Sequence, residues 1–407
     1  MPLYLNNDAY IVTGKVKDCI YDLKNARLYH ISKEVTKLLD RLLTESVDSL
    51  TKEEFTAVEQ LQQSGVLVEQ EKIQKKSIMT LCKPHRIKTA WIEVTTFCNL
   101  KCIHCYEEAS SMNSAKMTSE DFRYAIDALS DYGVETVILI GGEPFCHPDI
   151  KEMLLYASQK IPKAAVFTNG TLINEEWCRF LVENRITVGI SVYSYSPDMH
   201  DRVTLVEGSH ARTTHTLELF DKYHISYKIA TVHMKDIDLG EKGNCCFRLD
   251  PVKDPVRLAG RGKLSLITLD LMKYKLITKD RFSLPLDREW VIRALNGHQC
   301  FSIKLYIEYN LNVRPCVMEH RKNHGSLRGK TIDQILNPEI TDCNKDQIEG
   351  CRDCEFRYAC HDCRADSMSE NFYAKPYVCT YDPEKGEWEN VSDYALFLFD
   401  RQASKCN

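Results

Sequence analysis

The feature that most constrains this chain is the stretch from 92 to 107, where Cys98, Cys102 and Cys105 follow the pattern C-x3-C-x2-C. The run before them, Trp91-Ile92-Glu93-Val94-Thr95, reads as a strand, so the cysteines sit on the loop leaving its carboxyl end. Barrel folds place their chemistry at that end. Three thiolates this close can hold three irons of a [4Fe–4S] cube, which leaves one iron without a protein ligand. An open iron can bind a small molecule and pass it an electron. The plain alternative is half a zinc site or three buried thiols, but zinc takes four ligands, with cysteines usually in C-x2-4-C pairs.

Eighteen cysteines in 407 residues are too many to be incidental. The start, Met1-Pro2-Leu3-Tyr4-Leu5, lacks the basic-then-apolar order of a secretory leader, so a cytoplasmic location is expected. In a reducing compartment such cysteines read as metal ligands rather than disulfides. A net charge of −5 gives no nucleic-acid footprint. No apolar run approaches membrane-spanning length, so no membrane partner is expected.

Residues 9–14 read as a strand and 19–31 as a hairpin. Ser32 is placed to cap a helix carrying Val35, Leu38, Leu39 and Leu42 on one face, and Thr51-x-x-Glu54 has the capping-box form. Val66-Leu67-Val68 then begins a strand. The segment 76–88, with Lys83, Arg86 and Lys88, reads as a solvated linker. From 89 to about 240 strands and helices alternate, which argues a parallel sheet or barrel. The strand candidates are 91–96, 136–140, 164–168, 187–193 and 227–232. Gly141-Gly142-Glu143-Pro144 follows the second of these, and its glycines allow close backbone approach.

A second set of cysteines closes the chain. Cys300 and Cys316 flank a hairpin pattern, and Cys351-x2-Cys354-x5-Cys360-x2-Cys363 is followed by Cys379. A zinc ribbon wants a longer gap between its pairs. Cys245 and Cys246 are adjacent, poor geometry for two ligands, and with Cys19, Cys82, Cys146, Cys178, Cys343 and Cys406 they read as structural.

Together the three-cysteine loop, the Gly-Gly-Glu-Pro turn and the late cysteines closely resemble the radical-SAM enzymes with a SPASM extension, and among them the peptide maturases. The resemblance implies an α/β fold, a partial (β/α)6 TIM barrel with an N-terminal winged-helix-like domain and a C-terminal SPASM iron–sulfur domain. The implied domains are 1–75 for recognition of a leader peptide, 76–88 a linker, 89–245 the barrel, 246–299 the barrel end and a bridge, 300–388 the SPASM domain and 389–407 a tail. It implies S-adenosylmethionine (SAM) on the open iron of a cube held by Cys98, Cys102 and Cys105. One electron then cleaves the sulfonium and releases a 5′-deoxyadenosyl radical.

By the same resemblance Gly141, Gly142, Glu143 and Pro144 receive the SAM ammonium, Ser191 touches its ribose and Arg212 its carboxylate. Tyr106, next to the third cysteine, joins them as a cofactor-binding candidate. Two auxiliary [4Fe–4S] clusters are implied, the outer on Cys351, Cys354, Cys360 and Cys379, the inner on Cys300, Cys316 and Cys363. The inner cluster has no fourth cysteine, so it has either an open iron or another ligand such as His298. His104 stands where relatives usually carry an aromatic residue. The implied partners are a ribosomally made precursor peptide, bound through its leader, and an external one-electron donor. The implied reaction is an intramolecular C–C, C–O or thioether crosslink. The catalytic base has no candidate by position: Val317 follows Cys316, and Glu319 lies two further on. Two other readings remain: formation of formylglycine on a protein, as in anaerobic sulfatase maturation, and a non-catalytic iron–sulfur peptide binder.

Overall fold

The computed structural model describes residues 3–43, 49–69, 76–84, 86–105, 114–239, 247–251, 267–367 and 369–403. Tyr106, Cys245, Cys246 and Cys406 lie outside the described residues.

The amino-terminal unit opens with strands β1 (Leu3–Leu5), β2 (Ala9–Thr13), β3 (Lys17–Asp22) and β4 (Arg27–Ser32). Helix α1 (Lys33–Arg41) starts where Ser32 accepts the amide of Val35, and α2 (Lys52–Gln63) starts at the Thr51–Glu54 capping box. Each such cap satisfies amides that a helix start leaves unpaired, typically ~1 kcal/mol. Strand β5 (Leu67–Glu69) returns to pair antiparallel with β1, while β2, β3 and β4 form their own antiparallel sheet. Leu38, Leu39, Val58 and Leu61 of the two helices close on Ile20, Leu3 and Leu67. The opposite face of the sheet is not solvated. Tyr10, Val12 and Tyr21 share a core with Val291, Phe356, Tyr358 and Tyr381 from late in the chain. The Tyr21 hydroxyl donates to Glu355 O at 3.0 Å, and Tyr381 donates to the buried Glu355 carboxylate at 2.5 Å. Residues 1–75 therefore cannot be removed without opening a packed interface.

In the stretch 76–88, Lys83, Arg86 and Lys88 are exposed, while Ile78 and Ile87 are buried, one in that shared core and one in the core of the parallel sheet.

Strand and helix then alternate through β6 (Thr89–Thr95), α3 (Ser119–Tyr132), β7 (Thr136–Gly141), α4 (Ile150–Lys160), β8 (Lys163–Thr168), α5 (Glu175–Glu183), β9 (Thr187–Ser191), α6 (Pro197–Thr204), α7 (Ser209–Lys222), β10 (Tyr227–His233) and β11 (Phe247–Pro251). Strands β6 to β11 pair in order, all parallel. Alternate residues face opposite sides of a strand. Ala90, Ile92 and Val94 of β6 meet Phe122, Ile126 and Leu129 of α3 in the main core. On the other face Trp91 meets Phe167 of β8 edge-on at 5.0 Å.

Helices α8 (Leu269–Lys275) and α9 (Arg288–Asn296) lead to β12 (Lys304–Ile307), β13 (Asn312–Arg314) and β14 (Gly325–Ser326). The predicted hairpin is β12–β13, and β12 also pairs parallel with β6, so the nine-stranded sheet runs on into the cysteine-rich region. Short helices α10 (Ile332–Ile335) and α11 (Pro338–Thr341) and the pair β15 (Tyr381–Asp382) and β16 (Glu387–Trp388) follow. The expected tail carries helix α12 (Val391–Ala403), whose Ala395 and Leu398 are buried with Leu271 and Leu276. Among the described residues no helix is long and apolar enough to cross a membrane.

Candidate active site

The cysteine loop leaves the carboxyl end of β6 and lies against the carboxyl end of β7. Two main-chain hydrogen bonds, both 2.8 Å, seal the contact: Gly142 N to Thr95 O and Glu143 N to Phe97 O. A Cβ on Gly141 would stand 2.2 Å from Thr95 O, and one on Gly142 would stand 2.1 Å from Phe97 O. Only glycines allow this approach.

Glu143 does something other than the sequence suggests. Its carboxylate is fully buried and faces inward, accepting from Thr168 Oγ1 at 2.8 Å, Asn169 N at 2.7 Å and Phe145 N at 3.1 Å. It ties the ends of β7 and β8 together and is not free to meet a ligand ammonium. Burial pushes its carboxyl up to about 7, against the pull of those three donors. An unfolded carboxyl ionises lower, near 4.5, so this group's contribution to folding is present below that pH and lost as pH rises through about 7. Glu143→Gln removes this pH component and turns an amide donor toward one of its former donors. The unfolding free energy is expected to fall by ~1–3 kcal/mol, read in denaturant titrations at several pH values.

Next to this turn, Asn169 Nδ2 donates to Asn99 Oδ1 at 2.9 Å, and Asn99 Nδ2 donates to Thr171 Oγ1 at 2.8 Å. The Thr168-Asn169-Gly170 end of β8 therefore holds the first part of the cysteine loop. Burial pushes the Cys98 thiol up to about 12. Burial also raises Cys102, with Cys105 and Cys98 adding to it. Three thiolates in so dry a place need a cation among them, and iron supplies one. Cys146, read as structural, also crowds Cys98.

A cavity of about 130 Å³ opens here, lined by Cys98, Cys102, Cys105, Gly141, Gly142 and Ser191. His104 lines it too, packed edge-on against Tyr193 at 4.6 Å, and burial lowers its imidazole to about 4, so it is neutral. Pro144 is buried in the turn beneath. Arg212 is exposed on α7 and does not line the cavity.

The late cysteines also gather. Cys354 is raised by burial and then by Cys360 and Cys379, with Cys351 adding to it, so the four thiols lie near one another. Cys316 is raised by burial and by Cys300, among other groups. The cysteine groups are joined by apolar packing. Cys102, Cys360 and Cys379 abut one hydrophobic cluster, and Cys300, Cys316 and Cys351 belong to another. Among the described residues no group of three His, Cys, Asp or Glu side chains is arranged to hold a single metal ion. A cube asks for something different, one thiolate per iron spread around a cluster.

His298 is not available as a ligand of the inner group. Its Nε2 lies 3.1 Å from Asp362 O, and its Nδ1 accepts from Cys300 N at 3.3 Å. Glu319 is fully buried and gripped by Arg321 through both oxygens, at 2.9 and 2.7 Å, so it is not a free base. The buried Lys345–Asp362–Arg364 charges beside Cys351 and Cys360 have no local signature along the chain.

The Radical SAM superfamily model matches residues 92–241. The antilisterial bacteriocin subtilosin biosynthesis protein AlbA of Bacillus subtilis (strain 168) is 30% identical over 329 residues, 72% of this chain and 70% of its own length. The chain belongs to the radical-SAM peptide maturase family. As a member of the radical-SAM peptide maturases it is a radical-SAM enzyme, and the family brings SAM and a [4Fe–4S] cluster with it. The glycine cradle and the three crowded thiols fit that pair. In fold, the chain is similar to Streptococcus suis SuiB bound to the precursor peptide SuiA, with a TM-score of 0.57 at 14% identity, covering 92% of this chain and 98% of that one. It is also similar to anSMEcpe with bound AdoMet, with a TM-score of 0.53 at 19% identity over 78% of this chain and 95% of the other.

Proposed function

We propose that this enzyme crosslinks a ribosomally made precursor peptide within itself, removing two hydrogens to form a C–C, C–O or thioether bond. The observation that carries this reading is the amino-terminal unit, built onto the cysteine-rich region through a common core. The two are fixed relative to each other, so a leader held on one delivers its core peptide to a set place. The unit's strands β1 to β5 and helices α1 and α2 support reading it as a winged-helix-like recognition element. An outer strand of its small sheet can take a leader as an added strand. Beside β2 lies a cavity of about 400 Å³, walled by Leu3, Ile11, Leu39 and Leu43, that suits an apolar leader side chain.

Cys98, Cys102 and Cys105 would hold the SAM-binding cube. Cys351, Cys354, Cys360 and Cys379 would hold an outer auxiliary cluster, and Cys300, Cys316 and Cys363 an inner one. When bound, these groups supply a hydrogen-abstracting radical and a sink for the surplus electron. The chain itself binds and orients. Gly141 and Gly142 would bring backbone to the SAM amino group, and Ser191 would face the ribose. Arg212, if it serves the carboxylate, must first turn inward from its exposed position. The apolar clusters around the cysteines keep water away from the reacting carbon.

The test is coexpression with short peptides encoded near its gene, or anaerobic incubation of the reduced holoenzyme with them, followed by mass spectrometry. A product lighter by two hydrogens, mapped to two linked residues, supports the reading. An unaltered peptide, or formylglycine on a protein substrate, overturns it.

A further inference from the structure

The turn between α6 and α7 does not line the cavity, yet the middle of the cysteine loop rests on it. Lys101 N donates to Thr204 O at 3.0 Å, and Ile103 N donates to Val203 O at 2.9 Å. These two bonds stand on either side of Cys102. The acceptors belong to the last turn of α6, where a helix leaves its carbonyls without internal partners. Loop and helix end complete each other, so the place of Cys102 depends on how α6 stops.

It stops under constraint. Leu205, the residue after the helix, has φ of +55°, a left-handed conformation that costs a side chain energy and must be held. The hold is a buried set of hydroxyls. Thr204 Oγ1 and Ser209 Oγ lie 2.7 Å apart, and Ser209 Oγ donates to Asp201 Oδ1 at 2.7 Å. His200 Nδ1 lies 3.1 Å from Ser209 Oγ. Asp201 also accepts Gly208 N at 2.6 Å and His210 N at 2.8 Å, which anchors the start of α7. Thr204, Ser209 and His200 are all buried. With Ser209 donating to Asp201, its oxygen takes protons from Thr204 and His200, and its hydrogen-bonding capacity is filled. Losing one hydroxyl takes a hydrogen-bond partner out of this dry set.

We propose that Thr204 and Ser209 are positioning residues for the SAM-binding cluster. Through their hydroxyls they fix the two carbonyls that hold Lys101 and Ile103, and so set where the Cys102 thiolate stands. The inference rests on the reading of Cys98, Cys102 and Cys105 as the ligands of that cluster.

The test uses the reduced, fully loaded enzyme. Thr204→Val keeps the shape and removes the hydroxyl, while Thr204→Ser keeps the hydroxyl. Ser209→Ala stands in should Thr204→Val not fold. The readouts are release of iron to a chelator, the change in the electron paramagnetic resonance signal on adding SAM, and the unfolding midpoint. In Thr204→Val one cluster's iron is expected to leave about ten-fold faster, the worth of one buried hydrogen bond. The SAM-induced signal change is expected to alter, and Thr204→Ser to match the wild type in both. Wild-type iron release and signal in Thr204→Val, even with a lowered unfolding midpoint, would make the hydroxyls a brace of the fold alone and overturn the proposal. Were the wild type itself to show no SAM-responsive signal, or to keep it in Cys102→Ala, the ligand reading would fail and the proposal with it.

Discussion

Cys102→Ala is expected to bring reductive cleavage of SAM down to background while leaving the rest of the protein folded. Cys102 is one of three thiols on the loop after β6, and its side chain abuts the apolar cluster that continues to Cys360 and Cys379. A cube with three protein ligands has none to spare, since its fourth iron serves the ligand. Iron should fall by about four per chain, from about twelve if all three clusters form. The late cysteines should keep theirs, because their ligands lie on other segments. Chromatographic measurement of 5′-deoxyadenosine, with an iron count on the same sample, decides the matter. Full iron with full cleavage in the variant would remove Cys102 from the site.

Gly142→Ala is expected to cost about a hundred-fold or more in SAM cleavage, although a methyl group is the whole change. Its Cβ would meet Phe97 O at 2.1 Å, Phe97 C at 2.5 Å and Cys98 N at 3.0 Å. All three are backbone atoms, so no side chain can swing aside. The loop carrying Cys98 must move, and the Glu143 N to Phe97 O bond of 2.8 Å goes with it. Displacing a reacting group by about an ångström commonly costs about a hundred-fold. Turnover per bound cluster, measured beside the unfolding midpoint, separates this from simple destabilisation. A variant with wild-type turnover would show that the two strand ends need not touch.

What could be read in advance were features with local causes. Ser32 and the Thr51–Glu54 pair announce helix starts because a capping side chain must lie within three residues of the amide it accepts. The parallel strands announce themselves by apolar runs between helices. The four outer cysteines could be grouped because a resemblance supplied their pairing; spacing alone leaves it open. Long-range pairings have no local signature. Nothing in Lys304–Ile307 says that it lies parallel to β6 and welds the late cysteines to the barrel sheet. Charge misleads in the same way. Lys345, Asp362 and Arg364 look like solvated loop residues until their partners are seen, and Glu143 looks like a ligand carboxylate until Thr168 and Asn169 are found donating to it. The helix Val391–Ala403 was hidden for a related reason, its buried side being recognisable only against Leu271 and Leu276.

One iron of the cluster that Cys98, Cys102 and Cys105 would hold is expected to have no protein ligand and to bind SAM. Electron–nuclear double resonance on the reduced enzyme, with SAM labelled at its amino nitrogen and carboxylate oxygens, tests this directly. Hyperfine coupling from both labels to one cluster, lost in Cys102→Ala, is the expected result. A reduced cluster that couples to neither label would contradict it.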